Sequence, residues 1–151
     1  MDPQTALDLV NASVLPAWAL LIIAPHWRWT RRIVQTGLYP VGLGLLYAGL
    51  IVASLVTDAG GGEVDFTTLD GIAAIFSHPL GLLTAWVHFL VFDLFAGMWE
   101  ARDAERTGVN TWWLRLCLAL TFMAGPLGLL LYFAGRRRWS ITDPAPERSP
   151  A

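Results

Sequence analysis

The sequence predicts an all-α membrane protein with four transmembrane helices and a short amphipathic interfacial helix between spans two and three. Of its 151 residues, 55% are hydrophobic and only 15% are charged, whereas about 25% of the residues in a soluble domain are charged. Four apolar stretches have roughly the 20 residues that a helix needs to cross a bilayer. Because these stretches are continuous rather than alternating, they favour helices over barrel strands.

The four spans are expected at about residues 7–25, 38–57, 80–99 and 112–134. An acidic loop at 58–65 follows span two, and a short helix follows the loop. Thr67 and Asp70 have the spacing of a capping box. An amphipathic stripe follows at i, i+3, i+4 and i+7, made by Leu69, Ile72, Ala73 and Phe76. Pro79 suits the first turn of span three, and Gly125-Pro126 predicts a kink in span four.

Residues 1–139 are expected to form one transmembrane domain, and residues 140–151 a flexible polar tail. Arginines mark the cytoplasmic side of a membrane protein, and they occur in the loops after spans one and three, as Arg28, Arg31, Arg32, Arg102 and Arg106. We therefore expect a bacterial inner membrane with both termini outside. Arg136, Arg137 and Arg138 conflict with this orientation, because four crossings place them on the side opposite those loops.

Small residues four positions apart allow close helix packing in spans two and four. The pairs are Gly44 with Ala48, Gly49 with Ala53, and Ala124 with Gly128. Packing within one chain is the simpler interpretation, and a homodimer or a membrane-complex partner is the alternative. The net charge of −2 gives no reason to expect nucleic acid. Cys117 is expected to be a buried hydrophobe.

Ionisable residues within span three are the main functional signal. His88 and Asp93 lie where lipid is expected, and a charge at the bilayer centre costs about 2.5–3.5 kcal/mol. At 100° per residue, one sector of about 140° contains His88, Phe92, Asp93, Trp99, Glu100, Asp103 and Arg106. The third helix therefore has one polar and aromatic face that runs from mid-membrane to the interface.

Three interpretations of this face remain open. The first is structural, with His88 and Asp93 hydrogen-bonded to other helices and Asp103 paired with Arg106. The second is general acid–base chemistry. The third is a metal site, with non-haem iron bound by His88 and Asp93 as a minor alternative, although the metal-binding spacings E-x-x-H and H-x-x-H do not occur. The catalytic candidates are Asp93, His88, Glu100 and Asp103, and the substrate-binding candidates are Trp86, Phe92, Trp99 and Arg106.

Two motifs resemble the ABA4-like family. The first runs from Trp86-x-His88 through Phe92-Asp93-Leu94-Phe95-x-Gly97-x-Trp99 to Asp103-x-Glu105-Arg106, and the second is Gly125-Pro126-Leu127-Gly128 followed by Tyr132. The plant namesake of the family is a chloroplast membrane protein needed to make neoxanthin from violaxanthin. The resemblance therefore implies a carotenoid or related isoprenoid ligand, an isomerisation and no redox cofactor.

With this resemblance, Asp93 or Glu100 is expected to be the acid and Asp103 or His88 the base. The alternative is a non-catalytic subunit that binds carotenoid or assembles a membrane complex. A small transporter or proton path is a third hypothesis, which the absence of inverted repeats disfavours.

Overall fold

The computed structural model describes residues 2–57 and 65–139, and these ranges are helical with short connections. The helices are α1 (Pro3–Ile23), α2 (Arg28–Ile33), α3 (Leu38–Val56), α4 (Leu69–Ser77), α5 (Pro79–Thr107) and α6 (Thr111–Arg136). Four helical segments in these ranges are long and apolar enough to cross a membrane, which confirms the predicted fold class. Most of the predicted acidic loop, and the predicted tail, lie outside the described residues.

The short helix between spans two and three is confirmed as α4, but its N-cap is not Thr67. The Thr67 hydroxyl donates to Asp65 Oδ1 (2.6 Å), so Thr68 becomes the N-cap and accepts from the backbone N–H of Gly71 (3.2 Å). Leu69 and Phe76 on the apolar stripe are exposed, as expected of a helix that lies on a membrane surface.

The third span is longer than predicted. Pro79 occupies its first turn, with His78 as the N-cap, and the helix continues beyond Trp99 to Thr107. Gly108 ends it in the left-handed conformation with φ 69°, which glycine adopts without steric cost. Residues 100–106 are therefore two further turns of α5 rather than a loop.

The helices around α5 alternate in direction. α1 runs parallel to it, because the indole of Trp86 donates to Asn11 Oδ1 (2.8 Å) and Glu105 meets Arg31 just beyond α1. α3 runs antiparallel, since the rings of Tyr47 and His88 lie 5.5 Å apart and Arg102 donates to the carbonyl oxygen of Gln35, just before α3. The buried core between α1, α5 and α6 includes Trp18, Leu21, Val87, Leu94, Met98 and Leu118.

α6 is not one straight helix, because the chain reverses at Ala124 (φ −154°, ψ 71°). Trp113 at its start packs on Trp139 just beyond its end, with ring centroids 6.2 Å apart. Residues 113 and 135 of a straight helix lie about 33 Å apart, yet a Cβ on Gly135 would collide with the Trp113 ring. We call the outgoing arm α6a (111–123) and the returning arm α6b (125–136). The predicted kink is therefore a complete hairpin.

This hairpin changes the predicted orientation. Pro3 lies beside Pro79 at one end of the bundle, whereas Arg136 lies beside Asp103 at the other. The two ends of the described chain therefore lie at opposite ends of the bundle, an arrangement that does not fit the expectation of both termini outside. Each arm is only about 20 Å long, which is shorter than the roughly 30 Å hydrocarbon core. The fourth segment is thus long and apolar enough to cross a membrane but turns back at Ala124.

The reversal also removes the conflict among the arginines. The end of the bundle that holds the start of α2 and the C-terminus of α5 is called the arginine end. All arginines among the described residues lie there, namely Arg28, Arg31, Arg32, Arg102, Arg106, Arg115, Arg136, Arg137 and Arg138. Because α6b returns to this end, the last three join the others on one side, as the positive-inside rule requires.

The small residues of spans two and four behave differently. A Cβ at Gly44 or Gly49 would meet no atom within 4 Å, so the expectation that these glycines of α3 permit tight packing within the chain is wrong. At Gly128 a Cβ would collide with Thr121 of α6a. The close packing predicted for span four therefore exists, but it joins the two arms of one hairpin.

The hairpin predicts which residues label from the same side of a membrane. Cysteine is introduced singly at three exposed positions, as Gln4→Cys, Thr36→Cys and Arg138→Cys. With an impermeant thiol reagent on oriented vesicles, we expect positions 36 and 138 to label from one side and position 4 from the other. The unaltered chain is the control, because its Cys117 is buried. Labelling of positions 4 and 138 from the same side would contradict the reversal.

Gly128 is expected to be intolerant of any side chain. Gly128→Ala forces Cβ into Thr121, so we expect the free energy of unfolding in detergent to fall by about 1–3 kcal/mol. Gly44→Ala is the matched control on an open helix surface, and it should stabilise the protein by up to about 1 kcal/mol through helix propensity. Equal effects of the two substitutions would show that the arms are not in contact.

Candidate functional site

An apolar groove of about 380 Å³ lies between α5 and α6b. The two helices run parallel here because the hairpin returns α6b along α5. The lining residues are Phe92, Asp93, Phe95, Ala96 and Trp99 from α5, with Gly125, Pro126, Leu129 and Phe133 from α6b. Phe92 and Phe95 are more than half exposed, so the groove opens at the outer surface of the bundle.

Asp93 is the one ionisable residue in this lining. Its carboxylate lies against Gly125 at the reversal, where a Cβ would collide with Oδ1. It has no hydrogen-bond partner among residues 2–57 and 65–139. The contact is with the first turn of α6b. The carboxyl group is therefore held at mid-helix depth and remains available to a ligand.

Glu100 is fully buried behind the groove, two helical turns from Asp93. Its Oε1 accepts a hydrogen bond from the Thr121 hydroxyl (2.9 Å), while Oε2 has no partner among the described residues. Thr121 lies one turn before Gly125, so Glu100 contacts the end of α6a while Asp93 contacts the start of α6b. Thr121 was not predicted from sequence, because a single threonine in an apolar helix gives no local signal.

Asp103 is held by the returning arm of the hairpin. Tyr132 donates its hydroxyl to Oδ2 (2.8 Å), and the Arg136 guanidinium binds both oxygens, with Nε at 2.5 Å and Nη2 at 2.9 Å. The predicted pair between Asp103 and Arg106 is therefore wrong. Arg106 is exposed, because the hairpin brings Arg136 to the acid instead.

Besides Arg106, two further predicted site residues lie away from the groove. His88 is exposed, and its ring packs on Tyr47 of α3 and on Phe92 (centroids 4.7 Å apart). Trp86 lies in a separate pocket between α1 and α5, where it binds Asn11. The predicted polar face is therefore divided, because its residues contact different helices: His88 packs on α3, whereas Asp93 and Glu100 contact α6.

The structure thus brings together Phe92, Asp93 and Trp99 as groove residues, with Glu100 behind them. Trp99 packs against Tyr132 and Phe133, at centroid distances of 5.7 and 5.2 Å. Among the described residues, no three His, Cys, Asp or Glu side chains are grouped as metal ligands. The arrangement can hold an apolar ligand against aromatic rings and place one carboxyl group beside it.

The hydrogen bond to Glu100 is expected to stabilise the hairpin against α5. Thr121→Val leaves the buried Oε1 without its donor, so we expect the free energy of unfolding to fall by about 1–3 kcal/mol. Thr84→Val is the control, because Thr84 is also buried but donates only to Leu80 O of its own helix (2.8 Å). Similar losses for both variants in detergent unfolding would argue against a bond between the helices.

Comparison with known proteins connects this fold to a family. Residues 5–132 match the ABA4-like family, described as ABA DEFICIENT 4-like. Protein ABA DEFICIENT 4, chloroplastic, of Arabidopsis thaliana is 29% identical over 127 residues, which are 82% of this chain and 56% of that protein. The chain thus spans little more than half the length of this curated relative. No solved structure matches the chain.

The relative supports part of the expected location. The helices that are long and apolar enough to cross a membrane support a membrane location. The Arabidopsis relative is named as a chloroplastic protein, which does not fit the expected bacterial inner membrane. The family match covers most of the chain, including the reversal at Ala124 and every residue of the groove lining except Phe133. The chain therefore belongs to the ABA4-like family.

Proposed function

We propose that this chain binds a carotenoid or a related isoprenoid in the groove between α5 and α6b and isomerises it by acid–base chemistry centred on Asp93. The observation that carries the proposal is a carboxylate without a hydrogen-bond partner among the described residues, set in an otherwise apolar groove. Acids within membrane helices are costly and mark functional positions. The open side of the groove suits a ligand that is dissolved in the bilayer.

The groove walls match a rigid polyene or isoprenoid. Phe92, Phe95, Trp99 and Phe133 are aromatic, and flat rings offer large contact areas to a conjugated chain. Membership of the ABA4-like family supports the same ligand class, because the family resemblance implies formation of neoxanthin from violaxanthin. Since the chain covers 56% of the plant relative, the substrate of that protein is transferred here only as part of the proposal.

The proposed isomerisation involves no net gain or loss of electrons. The protonated Asp93 carboxyl gives its proton to the epoxide oxygen as the ring C–O bond breaks. A base removes a proton from the adjacent carbon, and the electron pair of that C–H bond forms the new double bond of the allene. One proton is gained and one is lost, so the product is an isomer of the substrate. The resulting Asp93 carboxylate can itself accept that proton.

The other candidates take supporting roles in this proposal. Asp103 is a positioning residue, because its bonds to Tyr132 and Arg136 hold α6b against α5. Glu100 is a second proton-carrying group behind the groove. His88 lies outside the groove lining but packs on Phe92 at its edge, and it is the alternative base in this proposal.

Pigment conversion tests the proposal directly. The chain is expressed in cells engineered to make epoxy-carotenoids, and pigments are separated by chromatography. We expect a new isomeric pigment with the unaltered chain and at least a tenfold loss of it with Asp93→Asn, because the amide cannot exchange the proton. Asp70→Asn is the matched control, since Asp70 is exposed on α4, and it should leave conversion unchanged.

The same cells distinguish catalysis from binding. Purified protein that carries unaltered pigment, equally in the Asp93→Asn variant, would support a non-catalytic binding or assembly subunit and overturn the isomerase proposal. An unchanged pigment profile across several carotenoid backgrounds, with no pigment on the purified chain, would overturn both functions.

A further inference from the structure

Two guanidinium groups converge on one indole in α2. The Arg28 Cζ lies 5.4 Å from the centroid of the Trp29 ring, and the Arg32 Cζ lies 5.9 Å from it. Arg28 and Arg32 are one helical turn apart, where like charges destabilise a helix. The ion pairs found among the described residues do not include either arginine. Among the described residues, the guanidinium groups of Arg28 and Arg32 thus have no carboxylate partner.

The bundle fixes α2 so that these groups face outward. Arg31, which lies between them in sequence, binds Glu105 of α5 (3.0 Å), and His26 meets the same carboxylate (3.3 Å). Thr30 is fully buried and donates its hydroxyl to Ala24 O (2.7 Å). Thr30 is thus turned toward the bundle and the Arg31 guanidinium is paired with Glu105, whereas Arg28 and Arg32 are exposed and have no ion pair among the described residues. This arrangement is a preformed pair of cations rather than a mobile charged loop.

Apolar residues place α2 at the level of a membrane surface. Trp27 is 50% exposed and Ile33 is 41% exposed, and such side chains on a basic helix enter the boundary between headgroups and acyl chains. Trp112 at the same end of the bundle is exposed beneath the Arg115 guanidinium, 4.8 Å from its ring. Tryptophan with arginine at the span ends is typical of this interface.

We propose that Arg28, Arg32 and Trp29 form a binding site for the phosphate of an anionic phospholipid in the leaflet at the arginine end. Guanidinium groups bind phosphate oxygens through paired, charge-assisted hydrogen bonds, and one phosphate between the two arginines removes their repulsion. The exposed Trp27 and Ile33 supply contact for the acyl chains, which free phosphate lacks. The site is separate from the α5–α6b groove and does not depend on its proposed function.

Native mass spectrometry of the purified chain in mild detergent tests this site. Phosphatidylglycerol is titrated against phosphatidylcholine as the neutral lipid and inorganic phosphate as the free anion. We expect phosphatidylglycerol adducts in preference to the other two. Arg28→Gln with Arg32→Gln should weaken that binding by roughly 25-fold, at about fivefold for each arginine near an anionic surface.

A charge-matched variant separates a site from diffuse attraction. Arg106→Gln with Arg138→Gln removes two exposed arginines at the same end of the bundle without touching α2, and should change phosphatidylglycerol binding by less than about threefold. Thermal unfolding confirms that both double variants fold. Equal losses in the two variants, equal binding of the two lipids, or equal binding of inorganic phosphate would each overturn the proposal.

Discussion

The reversal of the chain at Ala124 is the feature on which the rest of this structure depends. The backbone leaves the helical conformation there, and Pro126 follows without an N–H to continue the hydrogen bonds of α6a. Gly128 and Gly135 then let the two arms touch, because neither position has room for a Cβ. The groove, the partners of Asp103 and the common side of the arginines all follow from this hairpin.

The hairpin also explains how polar groups are accommodated inside an apolar bundle. Irregular backbone at membrane depth is tolerated where protein surrounds it, and here α5 covers the reversal with Asp93. Glu100 and Asp103 face the two arms, and each receives donors from α6. Asp93, Glu100 and Asp103 of α5 thus all contact the two arms of α6. They differ in burial and bonding, and Asp93 is the one that faces the groove.

The two proposed sites use different surfaces of the molecule. The groove is apolar, lies between helices and contains one acid, which suits a ligand dissolved in the bilayer. The Arg28 and Arg32 pair is exposed at the arginine end and suits a headgroup at the surface of the bilayer. The same end also contains Arg136 to Arg138. Anionic lipids would therefore be attracted to the end of the bundle whose arginines set the orientation of the chain.

The sequence alone determined the membrane class, the apolar segments, the short helix α4 and the choice of Asp93 as an unusual acid. These features follow from hydrophobicity and local periodicity, which depend only on the residue types and their order. The tertiary structure decided that span four turns back, that Asp103 binds Arg136 rather than Arg106, and that His88 lies apart from the groove. A straight span and a hairpin can have the same apolar composition, so the sequence does not distinguish them. A helical wheel gives the direction of a side chain around its own helix, but it does not identify the neighbouring helix that the side chain contacts. Contacts between residues about 30 positions apart, such as Asp103 with Tyr132, arise only from packing.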